Sequence, residues 1–313
     1  MLTLLAWLVP ERLWPALADR LAGVRLALRG GRAADEVARI ERLLGGRLPG
    51  LAARQCWRAH LANNYHAWLQ LLRCHRGGGW RPAVRLEGEA RLAAALAGGA
   101  GAILWAAPFA FNDLVTKQAL HQAGWPVSHL SRDSHGFSTT RFGRRLLNPI
   151  QTAVERRYLA ERLVMSDDNT VGPLRELAGR LRDNRVVSIT VNANGRRTRP
   201  MGFLDGTIEV ATGAPALAWQ TGAPLLPVFT VRGAAGGFVT RIEAPLRHDP
   251  ALPRAAAIDA MLADYAARLE AAVLQSPDQL ALPYVATLRG PTARDDSGLA
   301  TNTLAGECKV TPQ

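Results

Sequence analysis

Three short, unbroken apolar runs alternate with stretches of helical period, and this alternation constrains the fold more than any other feature of the chain. The runs are GAILWAA at 101–107, RVVSITV at 185–191 and PLLPVFTV at 224–231. Apolar runs of this length suit strands buried on both faces, the situation of a parallel sheet covered by helices. Between them the spacing predicts helices over 113–123, 171–183 and 211–221, a strand over 125–131, an edge strand over 238–243 and a closing helix over 255–275. The expected class is therefore α/β, a mixed but largely parallel sheet flanked by helices, with an N-terminal helical region. Such sheets bind ligands beyond the carboxyl ends of their strands, which directs attention to 107–113, 131–136, 191–195 and 230–233.

Residues 11–73 have helical texture, with breaks at Gly30-Gly31 and over 45–50. Trp57, Leu61, Tyr65, Trp68 and Leu72 fall at three- and four-residue spacing and read as a core-facing stripe. A glycine-rich break at 74–82 ends this part. The expected organisation is a helical, membrane-associating region over 1–80, an α/β domain over 81–290, and a disordered tail over 291–313 that lacks any apolar period. The opening MLTLLAWLVP is about half the ~20 apolar residues that a bilayer crossing needs. It has neither the basic start nor the cleavage site of a secretory signal. Two readings stay open for it: a helix lying in the membrane interface with Trp7 and Trp14 near the headgroups, or a helix packed on the domain.

With 48% apolar and 20% charged residues, the chain can bury a substantial core. Its 38 basic and 26 acidic residues leave a formal charge of +12, almost wholly arginine, since Lys117 and Lys309 are the only lysines. Arginine suits an anionic partner through its planar fork, though a GC-rich genome also favours it. No helix-turn-helix, zinc finger or aromatic RNA-binding signature is present, so nucleic acid is not the expected partner. Cys56, Cys74 and Cys308 show neither disulfide nor metal-ligand spacing, as in a reducing cytosol.

Five collinear segments carry a resemblance: EGEARLAAALAGGAGAILWAAPFAFNDL, GWPVSHLSR, PLRELAGRLRDNRVVSITVNANG, FLDGTIEVATGAPALAWQTGAPLLPVF and SPDQL. Between Glu87 and Leu280 their order resembles the lipid A biosynthesis branch of the lysophospholipid acyltransferase superfamily. The resemblance implies a glycerol-3-phosphate acyltransferase-like fold at the cytoplasmic face of the bacterial inner membrane. It implies transfer of a fatty acyl group from an acyl carrier protein or coenzyme A thioester to a lipid or lipid-like acceptor. The thioester would be a co-substrate, with no further cofactor and no metal, and an anionic lipid surface would be the second partner.

That family places a His, four intervening residues and an acidic residue after the first strand. The imidazole takes the proton of the attacking hydroxyl and the carboxylate orients the ring. Here Asp113 holds the acidic position and Pro108 stands where the base belongs. Proline has no side-chain or backbone proton to exchange. Three accounts follow: acyl transfer without that base, a catalytically silent acyl- or lipid-binding relative, or a displaced histidine. His135, in SRDSHGF, is the leading displaced candidate, while His129 inside the strand and His121 on the following helix read first as core and surface residues. Asp113 is the candidate catalytic acid and Asn112 a candidate substrate-binding residue, while the pair also suits the capping of a helix start, the role favoured for Asp113 once its histidine is missing.

The resemblance implies that Arg132 contacts a phosphate, with a surface ion pair as its alternative. It places Asn192, in a loop usually more acidic, and Asp205 and Gly206 in the substrate-binding block. Thr212 and Gly213 join the expected substrate-binding set: Thr212 is expected to cap the next helix, with Gly213 permitting close backbone approach and the free amides able to face an anion.

Overall fold

The computed structural model describes residues 2–28, 30–44, 46–48, 52–76, 79–132, 148–166, 171–193, 195, 197–233, 236–247, 249 and 251–281. Four helices come first: α1 Leu2–Leu8, α2 Trp14–Leu28, α3 Gly30–Leu44 and α4 Ala53–His75. Then follow β1 Val84–Glu87, α5 Glu89–Ala97, β2 Ala102–Ala106, α6 Lys117–Gln122, β3 Val127–Arg132, α7 Asn148–Glu155 and β4 Glu161–Met165. The remainder is α8 Val171–Arg182, β5 Val186–Thr190, the hairpin β6 Thr198–Phe203 and β7 Gly206–Ala211, α9 Gly213–Thr221, β8 Leu225–Arg232, β9 Phe238–Ile242 and α10 Arg254–Gln275.

Seven strands form one sheet in the order β1-β9-β8-β2-β5-β3-β4. The five from β8 to β4 are mutually parallel, and β9 pairs antiparallel with β8 while β1 runs parallel to β9. The α/β class with a mixed, largely parallel sheet and an N-terminal helical region thus holds. The strand over 238–243 is not an edge, however. β1 pairs outside it, joined by the exposed Glu87–Arg241 pair at 2.9 Å.

Side chains alternate across the sheet with period two. On one face Ile103, Trp105, Val187, Ile189, Leu225 and Phe229 pack against α8, α9 and α10 and merge with Leu26, Ile40, Trp57 and Leu61 of the N-terminal helices. Trp105 lies 4.3 Å from Tyr265 between ring centroids, at the centre of this layer. The helices before residue 76 therefore share their core with the sheet.

The other face changes character along the strands. At the amino ends, Ala102, Leu104, Val127, Val186, Leu226 and Val228 form an apolar cluster beneath α5 and α6. Toward the carboxyl ends the same face carries His129, Ser131, Ser188, Thr230 and Thr240, all buried, with Thr190 half-buried.

Of the two readings left open for the start of the chain, the packed one describes the rings: Trp14 is fully buried and donates from Nε1 to the Val9 carbonyl, while Trp7 is partly buried and bonded to the Leu72 carbonyl. The helix expected over 113–123 begins instead with a π-helical turn, Asn112–Thr116, that follows Phe111. In α4 the stripe Trp57, Leu61 and Leu72 is buried, yet His60, Asn63, His66 and Gln70 are buried on the same helix.

Gly88 links β1 to α5 with φ +78, and a Cβ there would stand 2.1 Å from the Ile242 carbonyl oxygen of β9. Gly88→Ala is expected to combine left-handed strain with a backbone clash and to cost about 2–4 kcal/mol. Urea unfolding of the variant measures this; an unchanged midpoint would refute the close approach.

Candidate active site

The turn after β2 carries Pro108 at the position where the resemblance expects a base. The Ala107 amide donates to Val228 of β8 and the Val191 amide donates to Ala106, so the last residues of β2 are pinned on both sides. The chain then bends at Pro108, and the segment 277–281 lies across the bend. The Ala281 amide donates to the Pro108 carbonyl at 2.7 Å, the Ala110 amide donates to Gln279 at 2.8 Å, and Phe109 bridges Leu280. Pro108 is buried and Asp113 is exposed. No ionisable side chain at position 108 faces Asp113, and the two do not form a catalytic pair.

Helix α4 closes the turn from the other side. His60 Nδ1 lies 3.0 Å from the Leu280 carbonyl, an acceptor only, so Nδ1 carries the proton. Asn63 donates to both the backbone carbonyl and the carboxylate of Asp278 at 2.9 Å. Arg232, at the end of β8, donates to His66 Nδ1 at 2.6 Å and to Asn63 Oδ1 at 3.2 Å, and its guanidinium lies over the Phe111 ring. Both imidazoles are held neutral. Burial lowers His60 to about 4 against the opposing pull of Asp278, and burial with the Arg232 charge lowers His66 to about 3. Neither is poised to take a proton near neutral pH.

Beneath α6 lies a second group of polar side chains. A crevice with a cavity of about 10 Å³, roughly one water, is lined by Asn112, Thr116, Lys117, His129, Ser188 and Thr190 among apolar neighbours. His129 and Ser188 are register partners on β3 and β5, and Nδ1 lies 2.7 Å from Oγ. Thr116 Oγ1 donates to Asn112 Oδ1 at 2.7 Å and also meets Thr230 Oγ1 at 2.6 Å, which meets Thr240 Oγ1 at 2.9 Å. Each hydroxyl has one proton, so the order runs from Thr240 through Thr230 and Thr116 to the Asn112 oxygen. Lys117 Nζ donates to Glu155 at 2.8 Å, and Gln151 donates to the other oxygen of that fully buried carboxylate.

The remaining predicted residues fall as follows. Arg132 ends β3, half-buried, and its carbonyl accepts from Arg162, which also donates to Ser131. His121 is exposed on α6, edge-on to Tyr158. His135 lies outside the described residues. Asn112 is bonded to the Thr116 hydroxyl and makes no side-chain cap. Asn192 donates back to the Thr190 carbonyl at 2.8 Å within its own loop. Asp205 sits in the β6–β7 turn with Gly206 and accepts from Arg47 at 3.2 Å. Thr212 precedes α9, but its hydroxyl donates to the Arg197 carbonyl instead of capping the helix, and a Cβ on Gly213 would meet nothing within 4 Å. The structure therefore groups Asn112 with the crevice and leaves Asp113, Asp205 and Gly213 away from it.

Sequence reasoning missed Thr116, Lys117, Ser188, Thr190 and Glu155, and it ranked His129 low. The signal was present: polar residues at alternate positions, 188 and 190 or 129 and 131, inside otherwise apolar strands. Among the described residues no group of His, Cys, Asp or Glu is arranged to hold a metal ion. Cys56 and Cys74 are buried and free, and desolvation pushes the Cys56 thiol up to about 12.

His60 and His66 have depressed folded values against an unfolded value near 6.5, so between those limits the unfolded chain binds more protons. Their contribution is complete above about pH 6.5 and is lost as pH falls below it. Each imidazole should cost about 2 kcal/mol of stability between pH 7 and pH 5. Unfolding free energies across that range should show this slope, and His66→Gln should flatten it by about half; an equally steep slope in the variant would contradict the assignment.

A family model described as bacterial lipid A biosynthesis acyltransferase matches residues 80–281. Among curated proteins no relative matches the chain.

Proposed function

Because the chain belongs to the bacterial lipid A biosynthesis acyltransferase family, we propose that it moves a fatty acyl group from an acyl carrier protein or coenzyme A thioester to a lipid-like hydroxyl or amine without the family's His/acid pair. The observation that carries this reading is the family match spanning the whole sheet, with buried polar groups gathered on β3, β5 and the π-helical turn that follows β2. Parallel sheets bind their ligands at the carboxyl ends of their strands. A general base contributes ~100- to 10,000-fold, so its absence at position 108 lowers the demand on neither donor nor acceptor but leaves the other catalytic factors in place.

A second reading, a silent acyl- or lipid-binding relative, draws on the closure of the Pro108 turn by 277–281 and the exposure of Asp113. An assay of thiol release from acyl-CoA and acyl carrier protein thioesters, with lysophospholipid and glycolipid acceptors, separates the two. Turnover is expected in the wild type, and Pro108→His should not raise it, since an imidazole there meets a covered turn and no oriented carboxylate. A silent wild type that gains activity in Pro108→His would favour the second reading.

The surface where the protein meets lipid is read from α1 and α2. Among the described residues no helix is long and apolar enough to cross a membrane. Among the described residues, five of the seven exposed large apolar side chains, Leu4, Leu8, Leu13, Val24 and Leu28, nevertheless lie in the first 28 residues, beside exposed Arg12 and Arg20. Apolar side chains flanked by arginine suit the interface of an anionic bilayer. Replacing Leu4, Leu8 and Leu13 by Glu should weaken binding to anionic phospholipid vesicles by at least about tenfold in a flotation assay. Unchanged binding would remove this face from the proposal.

A further inference from the structure

We propose that Ser188 and His129 are the nucleophile and general base of this chain, and that the acyl group passes through an ester on Ser188. The inference rests on the acyl-transfer reading and supplies the groups that Pro108 cannot.

The pair is built by the sheet. His129 and Ser188 occupy directly opposed positions of parallel strands β3 and β5, with their side chains on the same face. That register holds Nδ1 and Oγ at 2.7 Å, the contact a base needs with the hydroxyl it activates. Both side chains are buried in strands whose neighbours leave little rotamer freedom, so the pair is preorganised rather than assembled on a mobile loop. An apolar residue would satisfy this layer at either site, as Val127 and Val186 do two positions earlier on the same face. The polar choice is thus local to the carboxyl ends of the strands.

The space beside the pair has the size and lining of an oxyanion pocket. About 10 Å³ is open there, enough for one oxygen-sized group, so the acyl chain of an ester on Ser188 has to run outward from the crevice and not into this hollow. Thr190, Lys117 and Asn112 line it. The Asn112 oxygen already accepts from Thr116, which leaves its amide nitrogen as the donor end, and Lys117 has one of its three protons committed to Glu155. Donor groups of Asn112 and of Lys117, whose charge is balanced by Glu155, line the hollow beside the hydroxyl–imidazole pair, where negative charge develops when a carbonyl carbon is attacked.

The chemistry closes without any further reactant. Ser188 Oγ attacks the thioester carbonyl carbon as His129 Nδ1 takes the hydroxyl proton. The tetrahedral oxygen carries the negative charge in the pocket. The C–S bond then breaks, and the departing sulfur leaves as a thiol with the proton from His129. Attack by the acceptor hydroxyl or amine on the Ser188 ester, with His129 taking its proton and returning it to Oγ, forms the acylated product and restores the enzyme.

The test uses the full chain with myristoyl-CoA and no acceptor, followed by intact-mass spectrometry and peptide mapping. A single acyl adduct on the peptide containing Ser188 is expected. Ser188→Ala should abolish it, and His129→Gln should slow its formation by at least ~100-fold. Ser188→Cys, which keeps a nucleophile of similar size, should retain an adduct that hydroxylamine removes; this guards against loss of folding in the alanine variant. Thioester turnover by the wild type with no adduct, and with activity surviving in Ser188→Ala, would overturn this proposal while leaving acyl transfer standing. A wild type that consumes no thioester with any acceptor would defeat the acyl-transfer reading and this one together.

Discussion

Strand β2 is hydrogen-bonded to β8 on one side and to β5 on the other, over every residue from Ala102 to Ala106 on at least one flank. Its backbone polar groups are satisfied by parallel neighbours, and its side chains are buried on both faces. That strand cannot shift without breaking two ladders, and each shift of one residue would exchange its faces. The position of everything that follows Ala106 depends on it: the Pro108 bend, the π-helical turn with Asn112 and Thr116, and Lys117 at the start of α6. The crevice exists because this connection leaves the sheet on the polar half of one face.

Placing a base at position 108 would take more than a single replacement. A histidine there would need a pocket and an acid partner, whereas the turn is tied by backbone bonds to 277–281 and Asp113 is exposed. Histidines do approach the turn from α4, but burial holds both neutral with depressed values, helped at His66 by the Arg232 charge. Arg232, His66, Asn63 and Asp278 behave as a satisfied polar cluster that fastens α4 to the sheet. The buried Lys117–Glu155 pair plays a similar part beneath α6, where removing one partner would strand a charge.

The fold was legible where apolar runs were long. Residues 102–106, 186–190 and 225–232 form strands close to the expected limits, and the helices over 171–182 and 254–275 match. What the sequence hid was short or charged. β1 is four residues, VRLE, after Pro82, and β4 opens with Glu161 and Arg162. The hairpin strand β6 carries Pro200 and Gly202. Propensity says little about such pieces because pairing, not intrinsic preference, makes them strands. Missing β1 made β9 look like an edge. Pro108 and Asp113 were plain in the residues, but the crevice was not, because Ser188 meets His129 only through the register of strands almost sixty residues apart. His60, Asn63 and His66 sit at helical spacing and were overlooked because the aromatic residues between them dominated the pattern.

The row of threonine hydroxyls has a consequence for the amide at its end. Oxygen and nitrogen of an asparagine side chain are nearly equal in shape, and only their bonding decides which way the group faces. Here that bonding is the Thr116 hydroxyl, the end of a row that runs through Thr230 to Thr240 on β9. A methyl in place of the Thr116 hydroxyl would remove the bond that fixes the amide and leave it free to present the opposite polarity to whatever enters the hollow beside it.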